Sequence, residues 1–231
     1  KLGSKVVSTS SSEPSNQKVQ GGGLMTSTIT IAGYGSLMDE SSARQTTPDL
    51  TNWRYGTVDG WARVFDLVSI INIRRDLGRG RQLATCTARR REGVTLHVCL
   101  YDVPSDGFAA LEARERRLRT ERVQYQEANG SAGEAVMFTQ YSDAEYRSER
   151  AVTADMWHEE VGQYYSGQHI YRDDLLPVPS YLKKTVDAYA ALGPDLRDHF
   201  LDTSFLGDGS SIRAYLQERG ERAFTLDQPE V

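Results

Sequence analysis

The spacing of apolar residues changes near Tyr141, and this change constrains the fold more than any other feature of the 231-residue chain. Before it, β-branched and apolar residues alternate in short runs, which is typical of strands. After it, apolar residues recur every three to four positions, which is typical of helices. Strands followed by helices favour an α+β fold with a helical C-terminal extension. The predicted strands cover 28–32, 61–73, 83–88, 94–102, 121–127 and 134–141, and the predicted helices cover 105–118, 155–165, 180–192, 194–202 and 210–219. Turns are predicted at 79–80 and 91–93, a hairpin at Asn129-Gly130, and helix caps or breakers at 177, 179, 193–194 and 207–209.

Local composition divides the chain into three segments. Residues 1–27 are rich in Ser, Gly and other polar residues without periodicity, which predicts a disordered tail. Residues 28–222 form one predicted domain, and residues 223–231 form a predicted C-terminal tail. Met25 follows three glycines, so the first tail is interpreted as a precursor remnant. A transit peptide is the weaker alternative, because such peptides are rich in arginine and this tail has none.

Composition argues against several classes of protein. No apolar run approaches the ~18–20 residues needed to span a bilayer, so no membrane partner is expected. The four histidines lack the spacing of metal ligands, so no metal site is predicted. Two cysteines, Cys86 and Cys99, are too few for a disulfide framework and favour a reducing compartment. A cytoplasmic location is therefore expected.

Arginines are concentrated in the middle of the chain. Residues 74–122 hold twelve arginines against seven acidic residues, although the whole chain has a net charge of −5. This segment could form a nucleic-acid patch, or its arginines, such as those at 89–91, could form a solvated turn. The overall acidity argues against a phosphate-driven binder, so no nucleic-acid partner is expected. A local positive field would still attract small anionic metabolites.

Glu115 interrupts the apolar face of the predicted helix at 105–118. Phe108, Leu111 and Leu118 share one stripe, and Glu115 stands four residues after Leu111. A carboxylate on that face is expected to lie in the core or at a cavity, where burial raises its pKa and prepares it for proton transfer. Glu115 is therefore the candidate acid/base. In the alternative interpretation it only pairs with a nearby arginine (Arg114, Arg116 or Arg119).

The turn after the first predicted strand is the second candidate site. Gly33, Gly35 and Ser36 leave little side-chain bulk, and successive backbone N–H groups in such a turn can converge on an anion. The segment lacks the Gly-Lys-Ser/Thr ending of a phosphate loop, and Met38 breaks the dinucleotide pattern. A small carboxylate is the expected ligand, and an ordinary tight turn is the alternative.

Two nucleophile interpretations are weaker. Ser36 does not lie in a Gly-x-Ser-x-Gly elbow. Cys99 and His97 lie on one face of a predicted strand, where two such residues more often pack than form a catalytic dyad. Both nucleophile interpretations are therefore set aside.

Taken in order along the chain, these motifs resemble the γ-glutamylcyclotransferase-like superfamily. The signature Tyr-Gly-Ser-x turn corresponds to Tyr34-Gly35-Ser36-Leu37, and a Leu-Asp-x-x-Glu segment to Leu111-Glu112-Ala113-Arg114-Glu115. The resemblance extends over about residues 29–219. Further similar segments are 60–65, 179–182, 205–209 and 212–213.

The resemblance implies a mixed, barrel-like β-sheet with packed helices around a cavity that holds a γ-glutamyl group. It implies that the backbone of Tyr34, Gly35, Ser36 and Leu37 binds the substrate, that Glu115 shuttles a proton, and that 5-oxoproline is released without a metal or organic cofactor. Free γ-glutamyl amino acids, glutathione and γ-glutamyl amines stay open as substrates. A non-catalytic metabolite- or partner-binding module on the same fold is the alternative.

The chain departs from that family at two positions. Arg116 follows the glutamate where the best-known members carry glycine, and Glu121 stands near the position of a family tyrosine. Tyr125 is the alternative replacement for that tyrosine. The oligomeric state is not predicted.

Overall fold

The computed structural model describes residues 27–74 and 83–225. Nearly all of the predicted N-terminal tail, most of the predicted C-terminal tail and the predicted turn at Arg79-Gly80 lie outside these residues. Among the residues described, no helix combines the length and the apolar character that crossing a membrane requires.

Five strands close into a mixed barrel, which confirms the predicted α+β, barrel-like fold. Around the barrel the order is β3, β1, β5, β4 and β2, and β2 pairs again with β3 to close it. Two short strands extend the sheet, because β6 pairs with β3 and β7 pairs with β2, both in parallel. The strands are β1 Thr28–Gly33, β2 Thr51–Val68, β3 Leu83–Pro104, β4 Arg119–Glu127, β5 Ala132–Thr139, β6 Leu176–Pro177 and β7 Ser204–Leu206.

The central pair of strands is longer than the sequence predicts. β2 begins ten residues earlier than expected, and β3 runs through the turn predicted at 91–93. Gly60 and Gly93 adopt φ of +77° and +75°, and the β2–β3 register shifts between Asp59 and Trp61. Glycine tolerates such angles, so these positions bend the strands where the sequence alone indicated breaks.

Helices pack against the barrel strands and form the C-terminal extension. Two helices begin at prolines that were predicted as caps or breakers, since Pro179 and Pro194 occupy their first positions. The short helices at 40–44 and 143–149 were not predicted. The helices are α1 Glu40–Arg44, α2 Ile70–Arg74, α3 Ser105–Arg114, α4 Asp143–Glu149, α5 Ala154–Trp157, α6 Pro179–Ala191, α7 Pro194–Thr203 and α8 Ile212–Arg219.

Several predicted elements need correction. Residues 70–74 form α2 and not the end of a strand, because the chain leaves the sheet after Val68. The predicted helix at 155–165 is α5 followed by a π-helical turn over His158–Gly162. The predicted hairpin is confirmed, since Gly130 has φ +87° and donates its N–H to the carbonyl of Glu127 at 3.0 Å.

The end of α3 differs from the prediction in a way that matters for the site. The helix stops at Arg114 and not at Leu118, so Glu115 is its C-cap, with φ −94° and ψ 23°. A turn follows, in which Leu118 donates its N–H to the carbonyl of Glu115 at 2.7 Å. Leu111 and Leu118 are both buried as expected. The early stop allows β4 to begin at Arg119.

Candidate active site

One cavity lies between the turn after β1, the end of α3 and the start of α6. It has an outer chamber of about 450 Å³ and a narrow inner chamber of about 40 Å³. The outer chamber is also bounded by the segment from Leu67 to Asn72, and the inner chamber by the turn at 33–37. The residues that line both chambers are Ser36, Cys86, Glu115, Leu118 and Tyr181.

The predicted binding turn forms a wall of the inner chamber. Tyr34, Gly35, Ser36 and Leu37 all line it, and a 3₁₀ turn begins at Ser36. Met38 donates its N–H to the carbonyl of Gly35 at 3.0 Å. The first N–H groups of a helical turn have no acceptor within that turn. The backbone around Ser36 is therefore suited to bind an anion in the chamber.

Gly35 is required by the close approach of its neighbours. A Cβ placed there would lie 2.5 Å from the hydroxyl oxygen of Tyr181 and 3.0 Å from Sγ of Cys86. The absence of a side chain thus keeps the inner chamber open.

Glu115 reaches both chambers from the end of α3. Its side chain is 22% exposed, and burial raises the pKa of its carboxyl while Arg114 opposes that shift. Nε of Arg114 lies 3.1 Å from Oε1 of Glu115. The alternative predicted from sequence, a pair with a neighbouring arginine, is thus present, but it does not remove the carboxylate from the cavity.

Arg114 ties the glutamate to the binding turn. Nη2 donates to Oγ of Ser36 at 3.2 Å, and Nη1 donates to the carbonyl of Ser42 at 3.1 Å and to Oγ1 of Thr46 at 2.8 Å. These bonds fix the guanidinium on α1 and on the segment that follows it. The carboxylate of Glu115 therefore has a fixed position relative to Ser36.

Tyr181 and Cys86 are cavity residues that sequence reasoning did not assign. The hydroxyl of Tyr181 and Sγ of Cys86 are 3.1 Å apart in a hydrogen bond. Burial raises the pKa of Tyr181 well above its usual value and that of Cys86 to about 11, so both groups are protonated at neutral pH. The segment at 179–182 did carry a signal, because it belongs to the resemblance, but no role followed from it.

The hydroxyl of Tyr34 and the backbone carbonyls of Tyr34 and Leu37 anchor the turn. The hydroxyl of Tyr34 donates to the carbonyl of Phe138 at 2.6 Å, and the carbonyl of Tyr34 accepts from Nε of Arg63 at 2.7 Å. Sγ of Cys99 donates to the carbonyl of Leu37 at 3.1 Å. These bonds tie the turn to β2, β3 and β5.

Neither replacement considered for the family tyrosine lines the cavity. The hydroxyl of Tyr125 accepts from Nη2 of Arg54 at 3.1 Å, and Glu121 accepts from Oγ1 of Thr139 at 2.9 Å. Apart from Tyr34 of the turn itself, the tyrosine that lines the inner chamber with Glu115 is Tyr181.

The side chains of the Cys99–His97 pair and of the arginines at 89–91 have partners elsewhere in the fold. Sγ of Cys99 bonds to backbone, whereas the ring of His97 packs edge-on against His199 at 4.4 Å between centroids. The arginines at 89–91 stand on β3 and not in a solvated turn. Their partners are Asp66 for Arg89, Glu121 and the Trp61 ring for Arg90, and the Phe205 ring for Arg91.

The outer chamber carries more basic than acidic side chains. Arg114, Arg117 and Lys184 line it together with one carboxylate, that of Glu115. Nζ of Lys184 also lies 3.1 Å from a carboxylate oxygen of Asp39, and Nη2 of Arg117 donates to the carbonyl of Glu160 at 2.7 Å. Within residues 27–74 and 83–225, no cluster of three or more His, Cys, Asp or Glu side chains could hold a metal ion.

Comparison with known proteins supports the fold. No model of a known protein family matches the chain. No curated protein matches it either. Among solved structures, a γ-glutamyl cyclotransferase matches with a TM-score of 0.53 and 9% identity, over 75% of this chain and 85% of that one. An uncharacterised protein from Homo sapiens matches with a TM-score of 0.52 and 10% identity, over 74% and 84%. The chain therefore has the γ-glutamylcyclotransferase-like fold.

Proposed function

We propose that this protein is a γ-glutamylcyclotransferase-type enzyme that releases 5-oxoproline from γ-glutamyl compounds. The observation that carries the proposal is the position of Glu115, whose partly desolvated carboxylate lines the same narrow chamber as the turn from Tyr34 to Leu37. A base and a set of backbone N–H donors that line one small chamber suit an acyl transfer within one substrate.

In the proposed reaction the substrate supplies its own nucleophile. Glu115 takes a proton from the α-ammonium, and the freed α-amine attacks the γ-carbonyl carbon to close a five-membered ring. The bond from that carbon to the departing nitrogen then breaks as Glu115 returns a proton. The two protons lost by the attacking nitrogen equal the two gained by the departing amine, and no water is consumed.

The environment of Glu115 suits this proton transfer. Burial raises the pKa of its carboxyl, which makes the ionised form a stronger base, and Arg114 keeps that form accessible. The backbone donors near Ser36 would hold the α-carboxylate or the developing oxyanion. The neutral phenol of Tyr181 can donate a hydrogen bond to the same group. Confinement of a flexible γ-glutamyl chain in a narrow chamber also favours ring closure.

The charge of the outer chamber supports an anionic substrate. The γ-glutamyl group is itself neutral overall, with one α-carboxylate and one α-ammonium. Arg117 and Lys184 pair with Glu160 and Asp39 but also line the chamber, where they would favour a departing amine that carries its own carboxylate.

The proposal is tested by the product and by the nucleophile. Incubation with γ-glutamyl amino acids, glutathione and γ-glutamyl amines should yield 5-oxoproline by mass spectrometry. Acetylation of the α-amine should abolish turnover, because it removes the nucleophile. In heavy-oxygen water the product should contain no solvent oxygen. Release of free glutamate, or solvent label in the product, would show a hydrolase and overturn the proposal.

A glutamine variant tests the acid/base. Glu115→Gln should lower kcat by at least ~10²-fold, the scale of general acid/base catalysis, without loss of the fold. Glu112→Gln is the matched control, because Glu112 lies on the same helix but lines a different cleft. Near-normal kcat in Glu115→Gln would contradict the proposed role.

The ion pair between Glu115 and Arg114 favours one second candidate, a non-catalytic binding module on the same fold. In that case the pair would only shape the pocket. Calorimetry should then show binding of γ-glutamyl compounds in a protein that forms no 5-oxoproline.

A further inference from the structure

Arg63 of β2 has no part in the reaction described above, yet it contacts the binding turn. Its side chain is fully buried. Nε donates to the carbonyl of Tyr34 at 2.7 Å, Nη2 to the carbonyl of His97 at 2.8 Å, and Nη1 to Oγ of Ser204 at 2.9 Å. Nη2 also donates to the hydroxyl of Tyr189. The guanidinium thus joins the turn after β1 to β3, β7 and α6.

The charge of Arg63 is not balanced by an acid. Within the described part of the chain no carboxylate lies within ion-pair distance of it, and its neighbours are the rings of Tyr189 at 4.4 Å and Phe200 at 5.0 Å. A buried cation without a counter-ion is unfavourable, because the lost hydration is only partly replaced by neutral acceptors. Stability alone does not explain an arginine at this position, so a role in function is indicated.

The geometry of one peptide shows what that role is. Nε of Arg63 holds the carbonyl oxygen of the peptide that joins Tyr34 to Gly35. No cis peptide occurs in the described residues, so the N–H of Gly35 points in the direction opposite to that carbonyl. Gly35 lines the inner chamber. The bond from Arg63 therefore fixes the N–H of Gly35 on the side of the peptide away from the guanidinium.

A cation on the carbonyl also changes the strength of the N–H donor. It withdraws electron density through the delocalised peptide bond and leaves the N–H more positive, in the way that successive hydrogen bonds strengthen one another. His97 and His199 do not compete as cations, because burial lowers the pKa of both, that of His97 to about 4. Arg63 thus supplies positive charge to this peptide without touching the substrate.

We propose that Arg63 is a positioning residue, which orients and polarises the Tyr34–Gly35 peptide so that the Gly35 N–H binds the anionic group of the ligand. The proposal rests on the proposed function for the identity of that ligand. The hydrogen bonds and the burial of Arg63 hold whatever the reaction is, so part of the test needs no turnover.

The test compares Arg63→Lys with the wild type. A lysine keeps the charge but cannot make the same set of bonds. We expect the amide proton of Gly35 to move upfield in its NMR spectrum, because its peptide is less polarised. We also expect the Kd for 5-oxoproline and the KM to rise together by about 10- to 100-fold, as for the loss of a hydrogen bond to a charged group.

Two further variants keep the test decisive. Arg54→Lys is the matched control, since Arg54 is half-buried and pairs with Glu127 and Asp102 outside the cavity. It should leave the Gly35 signal, KM and Kd unchanged. If Arg63→Lys does not fold, Ser204→Ala replaces it, because it removes one acceptor of Arg63 without altering the turn. We expect it to shift the Gly35 signal in the same direction.

A purely structural Arg63 gives a different result. In that case Arg63→Lys would lower the melting temperature and the active fraction, and hence the apparent kcat, while KM, Kd and the Gly35 signal stayed at their wild-type values. That result would overturn the proposal. Absence of 5-oxoproline formation and binding in the wild type would overturn the proposed function instead, while the shift of the Gly35 signal would still decide the role of Arg63.

Discussion

The contact between Gly35 and Tyr181 permits a quantitative test of the inner chamber. In Gly35→Ala the new Cβ would lie 2.5 Å from the hydroxyl oxygen of Tyr181, whereas ordinary contacts begin at 3.4 Å. The phenol must therefore move by about 0.9 Å. A misplacement of about 1 Å can cost about 10²-fold in rate. The loss should therefore appear in kcat/KM.

A second substitution isolates the cause of that loss. Tyr181→Phe removes the oxygen that collides with the new Cβ, and the remaining close atoms are Sγ of Cys86 at 3.0 Å and Cζ of residue 181 at 3.7 Å. In this background Gly35→Ala should cost at most about tenfold. The coupling in the double-mutant cycle should then be at least about 1.4 kcal/mol, within the range found for residues in contact.

The assay is 5-oxoproline formation by the four proteins of the cycle, with melting temperatures measured in parallel. Gly107→Ala is the control, because a Cβ there meets only Cδ of Pro104 at 3.8 Å. If Gly35→Ala has the same effect in both backgrounds, the two residues are not coupled and the account of the inner chamber is wrong. If the wild type shows no turnover, calorimetric binding of 5-oxoproline takes the place of kcat/KM.

Three further predictions concern other parts of the molecule. Burial raises the pKa of fully buried Asp66 from 3.8 to about 6, so the contribution of Asp66 to stability is present below about pH 4 and is lost as pH rises to about 6. The unfolding free energy of the wild type relative to Asp66→Asn should therefore fall by about 3 kcal/mol between these pH values, and a constant difference would refute this. Lys184→Met should lower the preference for γ-glutamyl-alanine over γ-glutamyl-ethylamine, a pair that differs only in the carboxylate, and an unchanged ratio of kcat/KM would remove Lys184 from substrate recognition. Gly60→Ala should destabilise by about 1–2 kcal/mol in denaturant unfolding because its φ is +77°, and an effect as small as that of Gly107→Ala would contradict the assigned strain.

Much of the fold can be predicted from local sequence patterns, and the errors in the prediction also have local causes. Alternation of apolar and polar residues predicts β1, β4 and β5, and Asn129-Gly130 predicts the hairpin that joins β4 to β5. Both patterns depend only on residues that are neighbours in the chain. Residues 70–74 begin with two isoleucines, which suit a strand as well as the short helix they form. Gly93 marks a change of backbone direction in either a turn or a bent strand, so the sequence cannot tell the two apart.

Some residues of the candidate site could be predicted from the sequence and others could not. The turn at 34–37 and Glu115 are visible in the sequence, and the structure brings them to one chamber. Glu115 reaches it from the cap of α3 and not from the helical stripe on which the prediction relied. Tyr181 and Arg63 lie in segments of the resemblance, but the sequence assigned no role to them or to Cys86, because their roles depend on contacts between elements far apart in the chain.

Tyr181 lies about 145 residues after the turn whose chamber it closes, and this separation bears on the order of folding. Contacts between distant residues form late, because the entropy of closing the long intervening loop must be overcome first. The barrel strands can pair while α6 is still detached, but the inner chamber then lacks one wall. During refolding, ligand binding should therefore be regained after β structure appears. The bound ligand would then report when the C-terminal helices dock on the barrel.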